Sequence, residues 1–204
     1  MDHNIRVEIR SNQKLKQLNW FVSNYSNIFC DSQVNLCFFN IPTEVLDFST
    51  IKSNKVKTYL FNSFLEPFTV EQIRYFEGFD YLIIPFKNKM SAAALKIFVA
   101  NLDKIRDKSK VICHLLSDNF EEFIKVGSVV NFCRSSGFKN FIISDFNNKQ
   151  EKSIKIFLEK NQLNLFNFNF NFKYIIDSQG NILDSNSKQT LSTIYKYPAF
   201  LIFN

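Results

Sequence analysis

The sequence predicts an α/β (α+β) fold, a single mixed β-sheet with helices packed on it in βαβαβαβ order, preceded by an N-terminal extension. Three observations predict it. Between Val56 and Phe146, short runs of β-branched and aromatic residues alternate with stretches whose apolar residues recur every three or four positions. Helix starts are marked by side chains able to cap them, Thr69 with Gln72 and Asp118 with Glu121. The composition, 46% apolar and 22% charged over 204 residues, fits one soluble domain with an extension.

Residues 1–52 read as the extension and its leading helix, and residues 53–204 as the main domain with an insertion at about 147–171. In the extension Ile5, Val7 and Ile9 alternate with charged residues, a half-buried strand pattern. Leu15, Leu18, Val22 and Tyr25 share a helical face, Val34–Phe39 reads as a strand, and residues 43–52 as a short helix. The main domain opens with a strand over Val56–Phe64, stopped by Pro67. A helix follows from Thr69, burying Val70, Ile73 and Phe76, with Gly78 placed to close it in a left-handed cap. Phe79–Phe86 is the second strand, with Pro85 marking a rim, and Ser91–Arg106 the next helix. Val111–Leu116 is a continuous apolar strand. The helix after it turns Phe120, Phe123, Ile124, Gly127 and Val130 inward and ends at Gly137. Phe138–Phe146 is the fourth strand.

The insertion holds a charged helix around Ile154, Phe157 and Leu158. After it, Phe and Asn alternate from Phe166 to Phe172, in phase with Tyr174 and Ile176. This predicts a strand with one aromatic and one amide face, its rings buried in a core rather than stacked on bases. Gln179-Gly180-Asn181 is a turn, and Thr190–Lys196 reads as a brief helix before Pro198.

Several chemistries lack their parts. Cys30, Cys37, Cys113 and Cys133 form no CxxC pair and read as buried free thiols, so no metal or cofactor is expected. No apolar run reaches the ~18 residues of a membrane span. His3 and His114 are far apart in sequence, and His114, inside VICHLL, reads as a core imidazole. No glycine-rich phosphate loop is possible with four glycines placed at helix ends, a turn and a packing position. The net charge of +6 favours an anionic partner. The cations around Lys104–Lys110 are interleaved with Asp103 and Asp107 and read as a solvated face. Lys87-Asn88-Lys89 differs. It stands between a buried strand and a helix start, where cations are unfavourable unless an anion arrives. The abundance of Phe (25 residues), Asn, Ile and Lys points to an AT-biased, organellar genome.

Taken in order, these motifs resemble the N-terminal domain of the stalk-base protein of the large ribosomal subunit, the ribosomal protein L-ten (P-zero) family. The run Pro67-Phe68-Thr69-Val70-Glu71-Gln72-Ile73 is similar to that family's loop and Thr-capped helix. Ile84-Pro85-Phe86-Lys87-Asn88-Lys89-Met90 followed by Ala92-Ala93-Ala94-Leu95 is similar to its basic-Asn turn and alanine-led helix. Val111–Asp118, Asp177–Leu183 and Leu191–Ile194 resemble its later strand, hairpin and pre-proline segment. Three features depart from the pattern. Phe68 stands where the family has glycine, Glu66-Pro67 where it commonly has a basic residue, and the chain ends at Asn204 without the family's long stalk-binding helix.

The resemblance implies a non-catalytic structural constituent of the large subunit of a mitochondrial or other organellar ribosome, possessing no cofactor. Its implied partners are large-subunit rRNA, the neighbouring stalk-base ribosomal protein, and acidic stalk proteins reached through another chain, with no membrane insertion. Lys87, Asn88 and Lys89 are the expected RNA contacts, with Lys55 and Lys57 secondary. The alternatives are an accessory subunit of an organellar membrane or respiratory complex and a small α/β enzyme.

Overall fold

Strands form where β-branched and aromatic side chains concentrate, and helices begin where a side chain can take up their first free N–H groups. The structure, a computed structural model, describes residues 3–9, 11, 13–14, 16–18, 20, 34–39, 56–86, 91–116 and 123–194. In chain order the elements are β1 (His3–Val7), β2 (Val34–Phe38), β3 (Val56–Phe61), α1 (Val70–Phe76), β4 (Tyr81–Phe86), α2 (Ala92–Lys104), β5 (Val111–Leu116), α3 (Phe123–Ser135), β6 (Asn140–Ser144), α4 (Asn148–Lys160), β7 (Asn164–Leu165), β8 (Tyr174–Ile176), β9 (Asn181–Asp184) and β10 (Thr190–Thr193). The class is α/β. The chain divides into two compact units, one of Met1–Leu60, Gly78–Asp80 and Asn169–Asn204, the other of Phe61–Glu77 and Tyr81–Phe168.

In the first unit the strands lie in the order β10-β9-β8-β1-β2-β3. β8, β1, β2 and β3 run parallel, and β9 and β10 return antiparallel, so this array is mixed. β1 is paired on both sides, with β2 and β8. Burying Ile5, Val7 and Ile9 explains why this strand sits inside the array. Asn4 and Asn35 face each other in register and are buried. Asn35 Nδ2 donates to Asn4 Oδ1 at 2.7 Å, and Asn4 Nδ2 donates to the Asn169 carbonyl. Asp80 is fixed to β3, its carboxylate accepting from Thr58 N at 2.8 Å and Thr58 Oγ1 at 2.9 Å. Thr190–Lys196, read from sequence as a helix, is instead strand β10 over Thr190–Thr193, because the turn after Asp184, whose Oδ1 accepts from Asn186 N at 3.0 Å and Ser187 N at 2.8 Å, brings it against β9.

In the second unit β4, β5, β6 and β7 are all parallel, and α1 to α4 belong to the same unit. Phe64, Phe76, Phe98, Phe138 and Phe141 fill its core, with Ile154 and Leu158 of α4. Thr69 and Gln72 form the expected capping box of α1. The left-handed cap expected at Gly78 is absent: Glu77 closes α1 in right-handed geometry, its N–H bonded to the Ile73 carbonyl. Gly137 does take the left-handed conformation, at φ 88°. Gly127 faces the Phe157 ring of α4, whose Cζ would lie at an ordinary contact distance of 4.0 Å from an added Cβ. Phe120 and the Asp118–Glu121 cap lie outside the described residues, as does the expected helix at 43–52.

The strand expected over Val56–Phe64 stops at Phe61, and Phe64 turns left-handed at φ 55°. The Asn62 side chain causes this locally by accepting the Phe64 N–H at 2.6 Å. The Phe/Asn strand also shrinks. Only Asn164–Leu165 and Tyr174–Ile176 join ladders, while the rings between them are half-buried and the Asn side chains exposed. The alternation persists without pairing because the chain passes here from the second unit, at Phe168, to the first, at Asn169. Phe166 packs edge-on against Tyr81 at 5.4 Å and Phe168 against Phe61 at 5.7 Å.

Candidate functional site

Parallel strands send all their carboxyl ends to one edge, and the helices that return between them must start at that edge. In the second unit the edge is formed by Phe86, opposite Leu115, and Leu116, opposite Ser144. α2 starts there under Ser91, whose Oγ accepts from Ala94 N at 3.1 Å, and no acidic residue occupies its first turn. α4 starts there under Asn147, with Gln150 completing a capping box. The chain runs from Phe86 directly into Lys87, Asn88 and Lys89, which lie outside the described residues, as does Lys55. Lys57 is described: it is the second residue of β3, half-buried and in register with Asn35.

The same edge carries a polar chain that sequence reasoning missed. His114 Nε2 lies 2.8 Å from Ser144 Oγ, and Ser144 Oγ donates to Asp145 Oδ2 at 3.1 Å. With the Ser144 proton given to Asp145, the imidazole is the donor to Ser144. Burial pushes His114 down to about 4, and the nearby Asp145 carboxylate pulls weakly the other way. His114 is thus neutral when folded and charges more readily when unfolded. Since the unfolded chain binds the extra proton below about pH 6.5, stability should fall as pH drops from about 6.5 to 4 and level off below that. The loss attributable to this group is about 3 kcal/mol at most. His114→Leu should flatten that part of a urea-denaturation pH series relative to wild type. An unchanged slope would show that His114 does not drive it.

The Lys104–Lys110 group is solvated only in part: Asp103, Arg106 and Asp107 are exposed, whereas Lys104, Lys108 and Lys110 are half-buried. It belongs to the opposite, amino edge, where β5 begins and α1 and α2 end. Lys104 Nζ donates to the Phe68 carbonyl, Lys108 Nζ to the Leu102 carbonyl, and Lys110 Nζ to the Glu77 carbonyl at 2.7 Å. Glu77 in turn accepts the Asp107 N–H at 3.1 Å. Lys108 and Lys110 answer the partial negative charge at the carboxyl ends of α2 and α1, and Lys104 binds a carbonyl of the loop before α1, so an arriving anion would have to displace carbonyls. Burial also pushes the Lys108 ammonium down, and its Nζ lies 4.8 Å from the centre of the Phe138 ring.

Cys37, Cys113 and Cys133 are free and buried, with Cys113 hydrogen-bonded to Cys133, and no cluster of metal-ligating side chains occurs among the described residues. No helix among the described residues is long and apolar enough to cross a membrane. The Ser144–Asp145 pair had one sequence signal, a Ser-Asp-x-Asn run ending an apolar strand. It was hidden because the strand was extended to Phe146, whereas Asp145 leaves the ladder at φ 64°. No protein-family model matches the sequence, and no curated protein matches it either.

Proposed function

We propose that this protein is a non-catalytic constituent of the large subunit of a mitochondrial ribosome and holds large-subunit rRNA at the stalk base. Lys87, Asn88 and Lys89 are its principal contacts, and Lys55 and Lys57 lesser ones. The supporting observation is the place of the basic segment in the chain. It directly follows β4 at an edge where α2 begins with a Ser91 cap and no first-turn acid. Lysine ammonium groups neutralise phosphates there, and the asparagine amide bonds a phosphate or ribose oxygen. Folded RNA is read through shape, phosphates and 2′-hydroxyls, which asks for positioned donors rather than base-reading side chains. In this reading the neighbouring stalk-base protein sits alongside, and acidic stalk proteins are reached through another chain.

The test is binding to a stalk-base rRNA fragment across a salt series. Replacing Lys87 and Lys89 together by Ala should reduce the slope of log K against log salt by about 2 and weaken binding about tenfold or more. An unchanged slope would overturn the assignment of these residues. Co-sedimentation with ribosomal particles rather than membranes separates this function from an accessory role in a membrane complex.

A small α/β enzyme is the second reading, favoured by the 2.8 Å approach of His114 to Ser144 at the carboxyl edge. Against it, a buried imidazole pushed down to about 4 is a weak base, and the Ser144 proton is directed at Asp145.

A further inference from the structure

We infer that the outer face of α2 is a self-association surface: two copies of this chain pack α2 against α2, antiparallel about a two-fold axis, with Lys96 of each copy paired to Asp103 of the other. The inference goes beyond the RNA-binding role and uses none of the residues assigned to it. A surface helix keeps polar side chains on its solvent side. α4 does so: Asn148, Lys149, Lys152, Ser153, Glu159 and Lys160 are exposed there, with Ile156 the apolar exception. α2 does not. From Ala92 to Asp103 its exposed positions are Ala92, Ala93, Leu95, Lys96, Ala100 and Asp103, four of the six apolar, and Leu95 is 46% exposed. Alanines alone suit a solvated helix, since they favour its conformation. An open leucine beside a half-buried Val99 is stabilised only when something covers it.

The two charges on this face identify what covers it. Lys96 and Asp103 are seven residues apart, so they lie nearly on one line along the helix, about 20° out of alignment and about 10 Å apart. That is too far for them to pair along α2, whereas Lys155 and Glu151 of α4, four residues apart, do meet at 2.5 Å. Among the described residues neither Lys96 nor Asp103 makes an ion pair. Lys108, on which the Asp103 carboxylate acts through its field, donates instead to the Leu102 carbonyl. A cation and an anion on one helix face are complementary to the same face turned end for end. In a two-fold pair, residue i meets j and residue j meets i. A dyad midway between Val99 and Ala100 brings Lys96 of each copy to Asp103 of the other and forms two ion pairs at once. It also places Val99 at the centre with Ala100 beside it, and small side chains there let the helix axes approach to about 8 Å. A parallel arrangement would instead set Lys96 on Lys96 and Asp103 on Asp103.

The face is about 18 Å long, smaller than a standard interface, and each copy carries a net charge of +6, so the association is weak, with Kd on the order of 100 µM. The experiment is sedimentation equilibrium of the full chain from about 10 µM to about 1 mM, at about 0.15 M salt to screen the net repulsion. Wild type should pass from monomer to dimer across this range. Lys96→Glu alone sets carboxylate against carboxylate twice, and Asp103→Lys alone sets ammonium against ammonium twice. Each should weaken its own dimer about tenfold or more. Mixed in equal amounts, the two variants should form a heterodimer as tight as the wild-type dimer, because both of its contacts are again opposite pairs. Leu95→Asp should weaken the dimer about tenfold or more as well. Single variants that associate like wild type, or a mixture that stays monomeric, overturn the inference. So does a wild type that is monomeric at the highest concentration. If Leu95→Asp then also lowers the urea midpoint, the face is covered by another segment of this chain. The Lys87/Lys89 salt-slope test reads different residues, so either reading can fail while the other stands.

Discussion

Phe76→Ala should destabilise the second unit by about 4 kcal/mol, the largest loss expected from any single substitution considered. Phe76 is 0% exposed at the end of α1, and its ring meets Phe68 edge-on at 5.0 Å and Phe64 at 5.9 Å, both near perpendicular. Alanine removes the transfer free energy of the ring. It also leaves a cavity bounded by rings held from two directions, by the strand end at Phe61 and by the α1 cap at Thr69. The check is urea denaturation, read as a fall in midpoint at constant slope. A loss below about 1.5 kcal/mol would show that the surrounding rings collapse into the space.

Asn101→Ala should be the next most damaging, at about 3 kcal/mol, although it removes only an amide. Asn101 is 1% exposed on α2. Its Nδ2 donates to the carbonyls of Phe64 at 2.9 Å and Glu66 at 2.7 Å, and its Oδ1 accepts the Phe68 N–H at 3.3 Å. One side chain thus satisfies backbone groups of the Phe64–Phe68 loop, which begins at a buried left-handed Phe64, a conformation that costs about 1–2 kcal/mol by itself. Without the amide, the buried Phe64 carbonyl and Phe68 N–H lose their partner and the strain at Phe64 is unopposed. The turn is gripped from one side by Asn101 and from the other by Phe76. The double variant should therefore lose less than the sum of the singles. Strict additivity in a double-mutant cycle would show that the two anchors act on different parts of the fold.

The readable parts of this protein were those decided within a few residues. The capping box of Thr69 and Gln72, the alternation of Ile5, Val7 and Ile9, and the apolar run Val111–Leu116 all formed where the local pattern placed them. Reading failed where a distant partner decides. The same Phe/Asn alternation supports a paired strand or an unpaired crossing, and only the passage from one unit to the other selects the second. The segment Thr190–Thr193 became a strand because β9 lay beside it. The lysines at 104–110 looked solvated because charge patterning cannot show which carbonyls converge on them from Phe68, Glu77 and Leu102.

The candidate site divides in the same way. By itself the sequence determined the α/β class and the order in which Lys87-Asn88-Lys89 follows a strand and precedes a helix, because periodicity and cap residues act through neighbours along the chain. Tertiary structure alone decided that His114, Ser144 and Asp145 form one chain of hydrogen bonds at the end of β5 and β6. Parallel pairing is the physical reason: it brings strand ends some thirty residues apart to one edge, and no local pattern encodes which ends will meet.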